Sequence, residues 1–352
     1  MTASPPAVAS PVNEPRCILV FVPNWLGDAA MCTPALRALK RRFPQATLVA
    51  AARPGVARLL DGLPHVDGVL PVPKSGGLIA TLKQARELRK MRPGLVAVFP
   101  HSFRAALLAR LSGAPHRLGY ARGGRAWLLT HCAPPHREDG AIAPIYMARE
   151  YLDLVALLGC EDDGQGLELT ARPEYVEKVR ERFCEHRPVV GFAPGAAFGP
   201  SKRWPPERFA AVADVLTKRA NATCVLLTGP GEEDTREAVK AATKTGFVEC
   251  DGGNPDIDSL KATISQLDLL VCNDSGPRHV AVAFKVPTIC IMGPTSPAYS
   301  EGPYERGEVI RIDVECGPCQ KPVCETDHRC MTGISTGRVA DAALRVLRQR
   351  LT

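Results

Sequence analysis

The sequence lacks several features that would each assign it to a class. No apolar run approaches the roughly 20 residues that a helical membrane span needs, so none is predicted. Aromatic residues make up only 5% of the chain, and none are interleaved with a long Lys/Arg run. That pattern would mark a nucleic-acid partner, so none is expected. HExxH, G-x-S-x-G and paired metal-ligating carboxylates are missing, which removes the usual hydrolase signatures. Residues 1–15 are rich in Ala, Pro and Ser and have neither the basic start nor the apolar core of a signal peptide. They read as a disordered tail.

What is present describes an ordinary globular protein. The 352 residues are comfortable for two domains, and 45% hydrophobic with 23% charged residues is unexceptional. Lys and Arg number 44 against 37 Asp and Glu, a net charge of +7. This modest excess suits an acidic small-molecule substrate or an anionic membrane surface. Of thirteen cysteines, four cluster late in the chain. The other nine are scattered singly, several inside expected strands or helices (Cys17, Cys224, Cys272, Cys290). Scattered cysteines behave as small apolar residues in a reducing compartment, so a cytoplasmic protein is expected.

Apolar runs alternate with amphipathic stretches along most of the chain. Strands are predicted at Cys17–Pro23, Thr47–Ala52, Gly68–Val72 and Leu95–Pro100, with a helix from Ala29 to Phe43 after the first. Residues 131–144 are expected to form a mobile loop, and a helix from Ile145 to Leu158 closes the first half. After a polar linker the alternation restarts with strand Val189–Ala193, helix Pro206–Arg219 and strand Thr223–Thr228. Strands regularly followed by helices in both halves predict two α/β domains with mostly parallel sheets.

The polar chemistry gathers where predicted strands end, which is where open parallel sheets bind ligands. Asn24-Trp25-Leu26-Gly27-Asp28 follows the first strand; Asp28 is either a helix cap or a general base. The loop Pro194–Pro205 sets Gly195 and Gly199 beside Lys202 and Arg203, a combination that suits phosphate without the GKS/T ending of a P-loop. Glu232 or Glu233, after the next strand, either meets a ribose hydroxyl or favours a helix start. Asp274-Ser275-Gly276 opens a helix after Leu269–Cys272, where it serves as a cap or as an anion site for a diphosphate. His279 follows one turn later. Cys316-x2-Cys319-x4-Cys324-x5-Cys330, with His328 inside it, suggests a structural zinc or another thiolate site, or a cluster that packs or oxidises.

Residues 24–40 (NWLGDAAMCTPALRALK), 194–205 (PGAAFGPSKRWP), 273–281 (NDSGPRHVA) and 293–297 (GPTSP) together resemble the ADP-heptose:lipopolysaccharide heptosyltransferases, most closely the type II enzymes. The cysteine segment 316–331 resembles one found in many of these proteins. The resemblance implies a GT-B fold, with two Rossmann-like domains facing across a cleft. An acceptor domain at 16–165 and a nucleotide-sugar domain at 186–335 would be followed by a C-terminal helix (336–352) that crosses back to the first. It also implies inverting transfer of heptose from ADP-heptose to the inner core of nascent lipopolysaccharide, with no cofactor required for catalysis. Carried over by position, Asp28 would be the general base. Lys202, Glu233, Asp274, Ser275, Gly276 and His279 would hold the donor, and Asn24, Ser102 and Arg104 the acceptor. The acceptor would be a lipid-anchored acidic oligosaccharide, which places the protein at the inner face of the inner membrane. His101 and Pro277-Arg278 depart from the family pattern; Arg278 would add a phosphate contact or point to solvent. Two readings compete: a transferase of the same fold using another nucleotide sugar, and a non-catalytic nucleotide-binding scaffold. Joint retention of Asp28, Lys202 and Asp274 argues against the scaffold.

Overall fold

The computed structural model describes residues 12–73, 77–183, 188–250 and 255–351. Most of the expected N-terminal tail, residues 1–11, lies outside them, but Pro15 is buried against Gly94. The chain divides into two compact units, Met1–Gly166 and Leu167–Thr352.

In the first unit, β1 (Cys17–Phe21), β2 (Thr47–Ala52), β3 (Gly68–Pro71), β4 (Leu95–Val98), β5 (His116–Tyr120) and β6 (His131–Ala133) form one sheet. Its order is β3-β2-β1-β4-β5-β6 and every pair is parallel. A two-stranded hairpin, β7 (Arg137–Glu138) and β8 (Ala141–Ile142), stands apart from it. The helices are α1 (Leu26–Met31), α2 (Thr33–Arg42), α3 (Pro54–Leu60), α4 (Leu78–Lys90), α5 (Phe103–Leu111) and α6 (Met147–Ala156). The second unit repeats the plan with β9 (Val189–Ala193), β10 (Thr223–Leu226), β11 (Val248–Glu249), β12 (Leu269–Asn273), β13 (Thr288–Ile291) and β14 (Gly307–Ile310). Their order is β11-β10-β9-β12-β13-β14, again all parallel. Its helices are α7 (Pro173–Phe183), α8 (Pro206–Ala220), α9 (Glu233–Ala242), α10 (Ile257–Ser265), α11 (Gly276–Ala283), α12 (Arg329–Thr332) and α13 (Thr336–Leu351).

Both sheets follow the doubly wound order in which the winding reverses beside the first strand, and ligands bind at that switch point. Here the switch points lie between β1 and β4 and between β9 and β12. Strands covered by helices on both faces need continuous apolar sequence. LVAV of β4, VVGFA of β9 and LLVCN of β12 are buried at every position.

Three features differ from the sequence reading. The predicted helix Ala29–Phe43 is two helices joined at Cys32. Pro34 has no N–H to offer the Ala30 carbonyl, and the Thr33 hydroxyl donates to that oxygen instead, at 2.8 Å. The expected mobile loop 131–144 contains β6 and the β7–β8 hairpin. Asp139 (φ 49°) and Gly140 (φ 80°) supply the left-handed pair that a two-residue hairpin turn requires. The edge strand β14, GEVI, is not among the predicted strands because its apolar run is short and its burial partial. The C-terminal helix α13 buries its apolar face inside the second unit. Val339, Ala343, Leu344 and Leu347 of α13 share one core with Phe209, Val212 and Leu216 of α8.

Candidate active site

In the first unit the loops after β1 and β4 flank the switch point. Asp28 lies half-buried in the first turn of α1, with Asn24 exposed on the loop before it. Burial pushes the Tyr151 phenol well above its usual range, and the nearby carboxylates of Asp28 and Glu150 raise it further. Ser102 caps α5 by accepting from the Ala105 N–H at 3.3 Å. Arg104 Nη2 donates to Gln84 Oε1 at 2.9 Å, while its Nε is buried with no hydrogen-bond partner. Asn24, Arg53, Ser102 and Arg104 line one pocket of about 110 Å³. The structure thus brings the three expected acceptor residues together and adds Arg53.

Side chains outside the sequence reading hold this loop in place. Arg125, fully buried, donates to the carbonyls of Tyr120 (3.1 Å), Pro100 and Ser102 (3.0 Å). His101 stands between Arg122 Nη1 (3.1 Å) and the buried Glu150 carboxylate (3.2 Å). No sequence spacing announces these partners, because Arg122, Arg125 and Glu150 belong to β5 and α6 neighbourhoods that meet the loop only in the fold.

In the second unit the loops after β9 and β12 are stitched together by Asn273. Its Nδ2 donates to the Pro194 carbonyl at 2.6 Å, and its Oδ1 accepts from the Trp204 N–H at 3.2 Å. Lys202, on a short 3-10 turn at Pro200–Lys202, donates through Nζ to Asp274 Oδ2 (2.6 Å) and to the Asp274 carbonyl (3.1 Å). The Asp274 carboxylate also accepts from Arg278 Nη1 (2.8 Å) and Thr295 Oγ1 (2.8 Å). Burial alone would raise its pKa; Lys202 and Arg278 hold it well below the usual carboxylate range.

Arg278 neither points to solvent nor stands free for a phosphate. It is fully buried and pairs with Asp274 and with Glu305 Oε2 at 2.8 Å, so two cations and two carboxylates balance in one network. Such a buried network confers geometry more than stability, because desolvation offsets much of the attraction.

Gly276 opens α11, and Ser275 before it has its Oγ buried with no hydrogen-bond partner. His279 is buried in α11, and burial followed by the Arg278 charge pushes its pKa down to about 3. Its ring is therefore neutral at neutral pH, with Nδ1 unpartnered. Glu233 is exposed and accepts from the Gly231 N–H at 3.2 Å. Its neighbour Glu232 turns inward to the Gly229 N–H at 2.8 Å, beneath Gly195.

Cys316, Cys319, Cys324 and Cys330 line one pocket of about 60 Å³ together with His328 and Ser201. The described cysteines are free thiols, and among the described residues no three Cys, His, Asp or Glu side chains stand together as a metal-holding group.

Two doubly wound α/β units, each with polar residues at its switch point, make up a GT-B fold. Residues 81–329 match the profile of glycosyltransferase family 9 (heptosyltransferase), and the chain belongs to that family. It is similar to lipopolysaccharide heptosyltransferase 2 of Salmonella typhimurium LT2, at 30% identity over 84% of this chain and 88% of that one. Its counterpart from Escherichia coli K12 is 29% identical over 92% of this chain and 96% of that one. The solved structure of Escherichia coli ADP-heptose lps heptosyltransferase II superposes with a TM-score of 0.81 at 27% identity, covering 95% of this chain and 99% of that one.

Proposed function

We propose that this glycosyltransferase moves heptose from ADP-heptose to the inner core of nascent lipopolysaccharide, with inversion at the anomeric carbon. The observation that carries the donor half is the Lys202–Asp274 pair at the second unit's switch point. An ammonium has three N–H donors. Two of those on Lys202 are directed at Asp274, leaving one for a phosphate oxygen. Asp274, Arg278 and Thr295 then act on Lys202 and its surroundings by fixing geometry. The unpartnered Ser275 hydroxyl and the amides that open α11 add donors toward the diphosphate.

The chemistry follows from these roles. An acceptor hydroxyl attacks the anomeric carbon, the bond from that carbon to the diphosphate oxygen breaks, and ADP departs with its charge held by Lys202. Asp28 takes the hydroxyl proton as the new bond forms. On the acceptor side, Arg53 and Arg104 in the Asn24–Ser102 pocket suit an acidic oligosaccharide. Among the described residues no helix is long and apolar enough to cross a membrane. We assign the protein to the cytoplasmic face of the inner membrane, held there peripherally.

Calorimetry with ADP, UDP and GDP, combined with a transfer assay, tests the reading. ADP should bind selectively, lose its affinity in Lys202→Ala and keep it within about twofold in Asp28→Ala. Turnover in Asp28→Ala should fall by about 10²–10⁴, the usual worth of a general base. Selective binding of UDP or GDP would move the donor to another sugar, and near-normal turnover of Asp28→Ala would remove the base. A structural zinc would require the four sulfurs to close to about 2.3 Å from one ion. Metal analysis of protein purified without chelator reads that directly.

A further inference from the structure

The loop that carries Lys202 is backed by the cysteine-bearing segment, and the two meet at Ser201. Ser201 is buried, and each of its polar groups is held by that segment. Its N–H donates to the Pro322 carbonyl at 3.1 Å and its Oγ to the Lys321 carbonyl at 2.6 Å. Its own carbonyl accepts from His328 Nε2 at 2.7 Å. Two residues earlier the approach is closer still: a Cβ on Gly199 would lie 2.2 Å from the Pro322 carbonyl oxygen. The same segment reaches the loop after β13, where the Gln320 N–H donates to the Pro294 carbonyl at 2.9 Å. His328 is fixed in turn: it caps the start of α12, its backbone left-handed (φ 58°) and its carbonyl accepting from the Met331 and Thr332 N–H groups of that helix. Neither the proton transfer nor the departure of ADP requires these contacts. Their one shared consequence is the placement of the Ser201–Lys202 peptide.

We propose that His328 is a positioning residue for the donor diphosphate, acting through the Ser201 carbonyl on Lys202, and that residues 316–331 form the rigid backing of the donor loop. This rests on the reading that Lys202 holds the diphosphate. Without the His328 bond the Ser201–Lys202 peptide keeps its N–H bond to the Gly199 carbonyl (3.2 Å) but loses the side-chain anchor of its own carbonyl, and an ammonium displaced by about 1 Å loses the alignment that binding and catalysis need.

The test compares His328→Ala, His328→Gln, Ser201→Ala and Lys202→Ala, each titrated with ADP and assayed at varied donor and acceptor. His328→Ala should weaken ADP binding and raise the donor KM about tenfold while leaving the acceptor KM unchanged. His328→Gln, whose amide still donates, should recover ADP affinity to within about threefold. Ser201→Ala, a milder change, should weaken ADP binding about threefold and covers the case in which His328→Ala does not fold. If Lys202→Ala loses ADP while the His328 and Ser201 variants bind it normally, the positioning role is wrong. Donor and acceptor KM rising together, with no rescue by glutamine, would equally overturn it. ADP binding that survives Lys202→Ala would instead remove the diphosphate reading itself.

Discussion

His279 shows how one buried side chain writes a pH dependence into the second unit. Its folded pKa of about 3 lies below the ordinary 6.5 because burial and the Arg278 charge both oppose protonation. The unfolded chain therefore takes up a proton near pH 6.5 that the folded one refuses until about pH 3. Over that window stability falls as pH falls, by about 1.4 kcal/mol per pH unit from this group. Asp274 adds to the loss at lower pH. Its depressed pKa contributes stability above the unfolded carboxylate value of about 3.9, and this is lost as pH falls through the folded one. Urea midpoints at pH 7, 6 and 5 should drop steadily for the native protein and more shallowly for His279→Gln; parallel slopes would refute the assignment. That His279 and Asp274 lie near each other was legible in NDSGPRHVA. That Arg278 is a buried counter-ion was not, because only the fold brings Glu305 to it from 27 residues away.

Between elements, the contact that decides most is that of the β9–α8 loop with the β10–α9 loop. A Cβ on Gly195 would stand 1.9–2.2 Å from the Glu232 carboxylate, so only glycine there leaves that carboxylate in its place. Gly195→Ala should drive Glu232 off the Gly229 N–H while leaving the fold intact, since the displaced group is the far end of a flexible side chain. A stability loss of about 1 kcal/mol, the worth of one hydrogen bond, is expected in denaturant titration. ADP affinity should fall several-fold; unchanged affinity would mean that this packing has no part in nucleotide binding. Periodicity revealed the loops and their glycines, but it could not choose between two adjacent glutamates. Glu232 turns inward and Glu233 faces solvent because α9 starts between them. The same limit explains the split at Cys32: helical spacing runs on through α1 and α2, and the break becomes visible only when the Ala30 carbonyl is assigned its donor.

If the protein binds a membrane surface as proposed, charge and exposed apolar side chains make the first unit the candidate to face it. Trp25, Ile79, Phe103 and Trp127 are exposed there, and α4 presents Lys83, Arg86, Arg89 and Lys90 on its outer face. With a net charge of +7, the protein should sediment with phosphatidylglycerol vesicles at low salt and release as salt screens the attraction. Lys83→Glu combined with Arg86→Glu should weaken this binding without altering ADP affinity. Equal binding to neutral phosphatidylcholine vesicles would contradict it. The sequence by itself determined the strand–helix alternation, the two-unit α/β class and the loops that carry chemistry, because a buried parallel strand needs a continuous apolar run and a strand end needs turn residues. Tertiary structure alone decided which charges neutralise one another, where α13 buries its apolar face, and that the cysteine segment backs the Lys202 loop. Those outcomes depend on contacts between residues tens to more than a hundred positions apart, and local pattern carries no record of them.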